Sequence, residues 1–191
     1  MTMDIGRPRD KRIDAAVLQA TVDLLGEIGY ADLAVDAIAR RAGTSKPAIY
    51  RRWPSKAHLV HEAVFPIGYA MTLPNTGSVA GDVREMLRRT VAVLTIPAAR
   101  AALPGLVGEM AADLTLHAVL LERFGDILFR GLADRLEDAV ARGEIRPEVT
   151  AADMVEALAG PTLFALLTRG ASLDDSWVER TAALITRGIS A

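Results

Sequence analysis

The chain has 191 residues, with 22 Lys and Arg against 24 Asp and Glu and a net charge of −2. With 51% hydrophobic residues it is long enough to bury a core, which argues against wholesale disorder. It contains no cysteine, which excludes disulfide scaffolds, thiolate metal sites and cysteine nucleophiles, and agrees with a cytoplasmic location.

The expected fold is all-α, because Ala and Leu are the two commonest residues and no segment alternates as a strand does. A first helix is predicted over residues 13–28 from a single apolar stripe, and Gly29 is expected to end it. A second helix is predicted over 35–42. A third then begins at Ser45 and a fourth at Ser55.

Longer helices are predicted in the rest of the chain. Pro104 is expected to bend or split one of them and Pro161 to kink another, because proline removes a backbone hydrogen bond. The predicted ranges are 82–94, 98–112, 116–140, 151–167 and 176–188.

No membrane partner is expected. The apolar run over residues 91–108 contains Arg100, Pro97 and Pro104, and such a segment would not cross a bilayer as one helix. The first twelve residues are polar and basic, so no signal peptide is visible.

Residues 35–52 have the form of a helix-turn-helix, with a three-residue turn that contains Gly43. In this motif the second helix enters the major groove of DNA with its N-terminal residues first. The sequence pI of 5.9 does not exclude DNA as a partner, because binding depends on the local face. The leading residues here are Lys46, Pro47 and Ala48.

Two lysines directly follow predicted serine caps, in the pairs Ser45-Lys46 and Ser55-Lys56. A cation in the first turn opposes the helix dipole, at a cost of about 0.3–1 kcal/mol. A DNA phosphate beside each helix end would reverse that cost, so both lysines are predicted to bind phosphates. The alternative is two exposed lysines of no consequence.

Neighbouring residues are given separate roles. The Tyr50 hydroxyl is placed to reach a phosphate, whereas Trp53 is expected to fill the junction between the third and fourth helices. Arg51 and Arg52 suit a helix C-terminus on dipole grounds, and direct DNA contact is an equal alternative for both.

A short basic arm precedes the first helix. Arg7 and Arg9 flank Pro8, and such an arm can follow a minor groove. A plain disordered tail is the alternative.

These residues also carry a resemblance to the DNA-binding domain of the TetR family of bacterial transcriptional regulators, over roughly residues 10–62. The sequence departs from the family pattern at Thr44, where Val is usual, and at Trp53, where Phe is usual. A Ser or Thr cap near position 34 is missing, and Asp32 or Asp36 is expected to replace it. The resemblance rests on Gly29-Tyr30, Ile38-Ala39, Ala42-Gly43-Thr44-Ser45-Lys46, Ile49-Tyr50 and Trp53-Pro54-Ser55-Lys56.

The resemblance implies a three-helix DNA-binding domain in residues 1–62. It also implies a helical bundle in residues 63–191 that dimerises and binds a small-molecule effector. The family pattern assigns phosphate binding to Lys56. It assigns DNA contact to Lys46, Pro47, Ala48 and Tyr50.

The last two predicted helices are poor in charge on one face, which suits a two-fold four-helix interface between identical chains. An intramolecular core would show the same pattern. The candidate interface residues are Leu158, Leu163, Leu166, Trp177, Thr181, Leu184 and Gly188.

Signals for the effector pocket are weaker. Methionine suits adaptable pockets, and ordinary core packing is the alternative. His58 and His61 lack a third ligand nearby in the sequence, so neither a metal nor another cofactor is expected. The candidate pocket residues are Met86, Met110, His117, Phe124 and Phe164.

No enzyme signature is found. The sequence lacks a phosphate-binding loop, a dinucleotide fingerprint, a nucleophile elbow and the Glu-x-x-His pairs of di-iron bundles. The prediction is a repressor that binds a near-palindromic operator as a homodimer and is released by an effector. The alternatives are a helical enzyme or small-molecule-binding protein that does not use DNA, and an architectural DNA-binding protein.

Overall fold

The computed structural model describes residues 11–65, 73–169 and 173–191, and it describes no side chain at 121–130 or 169. Within these ranges the chain forms helices α1–α9 and one isolated β-bridge. The all-α prediction is confirmed. The chain divides into two compact units, an N-terminal unit of residues 1–66 and a C-terminal unit of residues 67–191.

The N-terminal unit contains four helices. α1 spans Lys11–Asp32, α2 Val35–Arg41, α3 Lys46–Tyr50 and α4 Lys56–Val64. The predicted division after residue 62 falls inside α4, two residues before that helix ends.

α1 is interrupted where its predicted end lies. Gly29 has φ 74° and ψ 177°, so the backbone leaves the helical conformation at that residue. Tyr30 follows the break and is buried. The expected break at Gly29 is confirmed, although the helical segment continues to Asp32 beyond it.

We expect Gly29→Ala to destabilise the protein by about 1–3 kcal/mol, because a positive φ with ψ near 180° is accessible without strain essentially to glycine alone. A Cβ at this position would meet no atom within 4 Å, so the cost is one of backbone conformation. Gly26→Ala is the matched control. Gly26 is helical and equally open, and alanine there should stabilise α1 by about 0.5–1 kcal/mol. Urea unfolding of both variants tests this, and a shift in the same direction would contradict it.

The core of the N-terminal unit joins all four helices. α1 packs on α2 and α4, and α2 packs on α3. Its fully buried residues come from the predicted stripe of α1 and from the helices that follow. Among them are Val17, Leu25, Ile38, Ile49, Leu59 and Val60.

The C-terminal unit contains five helices, α5 Val79–Thr95, α6 Pro97–Ala112, α7 Leu114–Ala141, α8 Ala151–Arg169 and α9 Asp175–Ile189. α5 packs on α6, α8 and α9, and α7 packs on α6 and α8. Pro104 and Pro161 lie inside α6 and α8, and neither proline ends its helix, so Pro104 does not split its helix, and the expected bends stay predictions.

The last residues of the chain are hydrogen-bonded to the loop between α7 and α8. The Arg146 N–H donates to the Ile189 carbonyl at 3.0 Å, and the Ala191 N–H donates to the Glu144 carbonyl at 3.4 Å. The Arg146 guanidinium also donates to the Gly188 carbonyl. These bonds form the isolated bridge beside Ile145 and hold the end of α9 in place.

α8 is the most apolar of the long helices. Residues Ala151–Thr168 have the length of a membrane span and a mean hydropathy of 1.3, and only 22% of this stretch is buried. Length and composition alone are weak evidence of a span, because core helices of soluble proteins pass the same test. The inner side of α8 packs in the core through Met154 and Leu158.

Candidate nucleic-acid interface

The turn between α2 and α3 has the geometry of a helix-turn-helix. Gly43 takes a φ of 66° after the end of α2, a conformation that glycine adopts without strain. The Ser45 hydroxyl accepts a hydrogen bond from the Ala48 N–H at 3.3 Å and so caps α3. Pro47 lies in the first turn, where no N–H is needed. The predicted start of the third helix is confirmed.

One side chain of α3 is buried, and most of the others are exposed. Ile49 is buried against the core of the N-terminal unit. Lys46, Pro47 and Tyr50 are exposed, with 41% of the Tyr50 surface accessible. Ala48 is half-buried between them. The exposed residues therefore lie together on the outer side of a helix of five residues.

Lys46 has a counter-charge within its own unit. Its ammonium donates a hydrogen bond at 2.8 Å to Oδ2 of Asp36, in the first turn of α2. This hydrogen bond raises the pKa of Lys46 above its ordinary value. The helix-dipole argument therefore missed an internal partner that already offsets the charge of this lysine. Because both side chains are exposed, the pair adds little stability, and a phosphate would compete with Asp36.

α2 begins without a side-chain cap. Ala34 occupies the N-cap position and makes no side-chain hydrogen bond to the first turn. Asp32 and Asp36 were expected to replace the missing cap, and neither side chain does so at this N-cap. Asp36 binds Lys46 instead, while its charge still favours the N-terminal end of the α2 dipole.

Lys56 is also satisfied internally. Its ammonium donates to the Tyr30 carbonyl at 3.0 Å and lies 4.2 Å from the centroid of the Tyr30 ring. Ser55 caps α4 as predicted, since its hydroxyl accepts a hydrogen bond from the His58 N–H at 3.4 Å. An ammonium carries three donors, so the bond to Tyr30 leaves capacity for a phosphate oxygen.

Arg41, the last residue of α2, and Arg52, which closely follows α3 in the chain, are both paired with acidic residues of α1. Arg41 and Glu27 form a bidentate pair with distances of 2.6 and 2.9 Å, and the hydrogen bond lowers the pKa of Glu27. Arg52 Nε lies 2.6 Å from Asp14 Oδ1, with both side chains mostly covered. For Arg52 this favours a structural role over DNA contact. Sequence reasoning missed both partners because they lie far away along the chain.

Trp53 occupies the place predicted for it. Trp53 lies between α3 and α4 along the chain, and its ring is buried. Its Nε1–H donates a hydrogen bond to Glu62 Oε2 of α4 at 3.0 Å. Arg51 is exposed just before it, at the C-cap of α3. Arg7 and Arg9 lie outside the described residues, so the basic arm stays a prediction.

A cavity of about 270 Å³ lies in the C-terminal unit, between α5, α7, α8 and the segment 73–78. Of the predicted pocket residues, Met86 lines this cavity. Met110 and His117 do not line it, and 67% of Phe164 is exposed. The side chain of Phe124 lies outside the described set. Sequence reasoning missed Arg135 and Met154, although Leu132 and Leu136 belong to the apolar stripe that predicted α7.

The predicted dimer residues divide between the core and the surface. Leu158 and Thr181 are buried within their own unit, so both are corrected to core positions. Leu163, Leu166 and Trp177 are half-buried, whereas Leu184 and Gly188 are exposed. Phe164 and Leu167 join them as exposed apolar residues of α8.

The described residues contain no group of three or more His, Asp or Glu side chains placed to hold a metal ion. His61 is buried and stacks obliquely on Phe65, with ring centroids 5.5 Å apart. His58 Nδ1 lies 2.9 Å from the Ser55 hydroxyl. Both histidines thus pack within or around α4.

Comparison with known proteins gives matches to both units. Residues 17–63 match the family described as bacterial regulatory proteins, tetR family, and residues 73–185 match the tetracyclin repressor-like C-terminal domain. An uncharacterized HTH-type transcriptional regulator of Mycobacterium tuberculosis, Rv1556, is 34% identical over 79% of this chain and 74% of its own. The DNA-binding transcriptional repressor TetR of Mycobacteroides abscessus is 29% identical over 90% of each chain. The crystal structure of the TetR family transcription regulator SCO0332 superposes with a TM-score of 0.69 at 29% identity, covering 94% of this chain and all of that one.

Proposed function

Because this chain belongs to the TetR family of bacterial transcriptional regulators, we propose that it is a repressor that binds a near-palindromic operator as a homodimer. A small molecule held in the C-terminal unit releases it from DNA. The protein acts in the cytoplasm, where its DNA is, and it is not an enzyme. The relatives compared above are named regulators, and one of them is named a repressor.

The observation that carries DNA binding is the outer side of α3. Lys46, Pro47 and Tyr50 are exposed together on a short capped helix that Ile49 anchors in the core. A helix of this kind presents its N-terminal residues to base edges in the major groove. Lys56, at the start of α4, supplies a second cation for the phosphate backbone.

The homodimer is supported by uncovered apolar side chains on α8 and α9. Phe164 is 67% exposed, Leu184 69% and Leu167 45%. Gly160 and Gly188 are exposed beside them and allow close helix approach. α8 packs on α9, and large apolar side chains exposed on neighbouring helices suit an interaction surface. We assign this patch, Gly160, Phe164, Leu167, Leu184 and Gly188, to a two-fold interface of four helices.

Release by an effector requires that the effector bind one conformation better than the other. In the proposed mechanism, two α3 helices enter successive major grooves about one helical turn apart. The effector favours a separation of the two N-terminal units that no longer fits this spacing. Coupling of the two sites is reciprocal, so operator DNA must weaken effector binding by the same factor.

The test begins with duplexes selected by the purified protein from a random-sequence library. Binding to a selected duplex should weaken steeply with salt, because each neutralised phosphate releases counterions. Lys46→Ala and Lys56→Ala should each reduce the slope of log K against log salt by about 0.9. Arg100→Ala is the matched control, because Arg100 is an exposed cation on α6 of the C-terminal unit. The salt slope of this variant should equal that of the unaltered protein.

A variant that neutralises the other side of the ion pair, with little change of shape, gives an effect of opposite sign. Asp36→Asn removes the carboxylate that competes for Lys46, so its affinity for the selected duplex should rise, most clearly at low salt. If neither lysine variant changes the slope, the assignment of phosphate contacts fails. If no duplex is enriched at all, DNA binding itself fails.

A further inference from the structure

The cavity of the C-terminal unit has an apolar floor. Val83 of α5, Leu132 and Leu136 of α7 and Met154 of α8 line it, and all four belong to the buried core of this unit. Its volume is about 270 Å³. Pockets that bind drug-sized molecules have volumes of about 300 Å³ or more, so this cavity is slightly smaller. The cavity therefore suits a small molecule with an apolar body.

Segment 73–78 closes one side of the cavity by tight packing. A Cβ on Gly131 of α7 would lie 3.3 Å from Leu73 Cδ1, and a side chain on Gly81 of α5 would collide with Thr76. Thr76 also donates two hydrogen bonds to Asp82 Oδ1, from its N–H at 2.7 Å and from its hydroxyl at 2.8 Å. The wall is thus held in place by its own contacts, which limits the size of any occupant.

Two of the charged groups on the cavity wall are already satisfied. The Asp82 carboxylate accepts the two bonds from Thr76. The Arg142 guanidinium binds Glu144 at 2.8 and 3.2 Å. Neither group therefore needs a charged ligand.

Arg135 differs from these groups. It lines the cavity and is half-buried, one turn of α7 from the apolar floor. Across the described ranges of the chain, its guanidinium has no hydrogen bond or ion pair to another group. Asp138 also lines the cavity but is exposed, so water screens its charge more strongly. The less exposed of the two remaining charges on the wall is therefore positive.

We propose that this cavity is the effector site and that its ligand is a small amphipathic carboxylate. The carboxylate pairs with the Arg135 guanidinium, which offers two parallel donors for it, and the apolar tail lies on Leu132, Leu136 and Met154. The effector role rests on the function proposed above, whereas the binding itself does not.

The test measures binding to the DNA-free protein by isothermal titration calorimetry. The probes are hexanoate, octanoate and 4-phenylbutyrate, with 1-octanol and octylamine as uncharged and cationic counterparts of octanoate. At least one carboxylate should bind saturably and more tightly than either counterpart. Equal or tighter binding of the alcohol or the amine overturns the proposal, as does the absence of saturable binding by all three carboxylates.

Substitutions at Arg135 and Ala139 test separately how the positive charge and the free volume of the cavity contribute to carboxylate binding. Arg135→Gln should weaken carboxylate binding about tenfold or more, since a charge-assisted hydrogen bond is lost, while Arg135→Lys should lose less. Arg100→Gln, an exposed arginine away from the cavity, should change nothing. Ala139→Leu places a larger side chain on the cavity wall and should abolish binding; because Ala139 is also buried in the core, the titration is done well below the unfolding temperature of this variant.

Unchanged carboxylate affinity in either Arg135→Gln or Ala139→Leu overturns the site. The proposed function is judged separately, by duplex selection without any ligand. A protein that selects DNA but binds no carboxylate disproves this inference alone. One that binds carboxylates at Arg135 but selects no DNA disproves the function alone. A carboxylate that binds at Arg135 without weakening operator binding disproves its effector role.

Discussion

The double variant Phe164→Glu/Leu184→Glu is expected to be a folded monomer with an operator affinity about 10²–10⁴-fold lower. Both side chains are about two-thirds exposed, so the glutamates cost little in a single chain. In the proposed interface the same carboxylates would be buried without partners, at a cost of several kcal/mol each. A monomer has only one N-terminal unit to bind DNA, so the avidity of the bivalent complex is lost, and this gives the expected loss of affinity.

Sedimentation equilibrium at micromolar concentrations and titration of a selected duplex check both parts of this result. Leu114→Glu is the matched control, because Leu114 is 78% exposed at the start of α7, outside the proposed interface. That variant should remain a dimer with unaltered DNA affinity. A double variant that sediments as a dimer would place the interface elsewhere on the C-terminal unit.

Trp53→Ala should unfold the N-terminal unit while the C-terminal unit stays folded. Removing a buried tryptophan costs about 3–5 kcal/mol, and the loss here also leaves Glu62 without its indole partner. A unit of 66 residues is stabilised by roughly 3–10 kcal/mol, at about 0.05–0.15 kcal/mol per residue. DNA binding should therefore be lost, whereas sedimentation should still report a dimer.

Hydrogen exchange of the amides in α1–α4 and α5–α9 distinguishes the two units. Protection should fall in the first set and persist in the second. Glu62→Gln separates the two contributions of Trp53, because it keeps the ring and replaces the charged acceptor of its Nε1–H with a neutral one. This variant should be destabilised by about 1 kcal/mol and retain DNA binding. Full protection of α1–α4 in Trp53→Ala would contradict the role assigned to the ring.

Features with local causes were predictable from the sequence. Gly29 and Gly43 each adopt a positive φ where a helical conformation ends, and the helical patterns on either side mark both positions. Ser45 and Ser55 cap their helices through bonds to residues three positions further on. Val17, Ala20 and Leu24 of the apolar stripe of α1 lie in the core, as their spacing indicates, whereas Ile28 at the end of the stripe is exposed. Each of these signals spans one or two helical turns.

Features that depend on distant parts of the chain were not predictable. Lys56 binds the carbonyl of Tyr30, and Lys46 binds Asp36 across the turn between two helices. A helix dipole argument does not include such partners, so it treated both lysines as uncompensated. The cavity wall similarly combines three helices and segment 73–78, and no pattern along one helix places Arg135 on that wall.

The side of a helix that faces a partner was also ambiguous. Thr181 and Leu184 lie on one stripe of α9, yet Thr181 is buried in its own unit and Leu184 is exposed. The stripe runs along the flank of the buried face, and periodicity alone does not separate a core from an interface. The position of α5 beside α9 decides which of these residues is covered.

The two tryptophans give each unit its own intrinsic fluorophore. Trp53 lies in the N-terminal unit, and Trp177 packs on the core of the C-terminal unit. The emission of Trp53→Phe therefore reports only on the C-terminal unit, and that of Trp177→Phe only on the N-terminal unit. Two optical titrations, without any added dye, can then show whether the units melt together or one after the other.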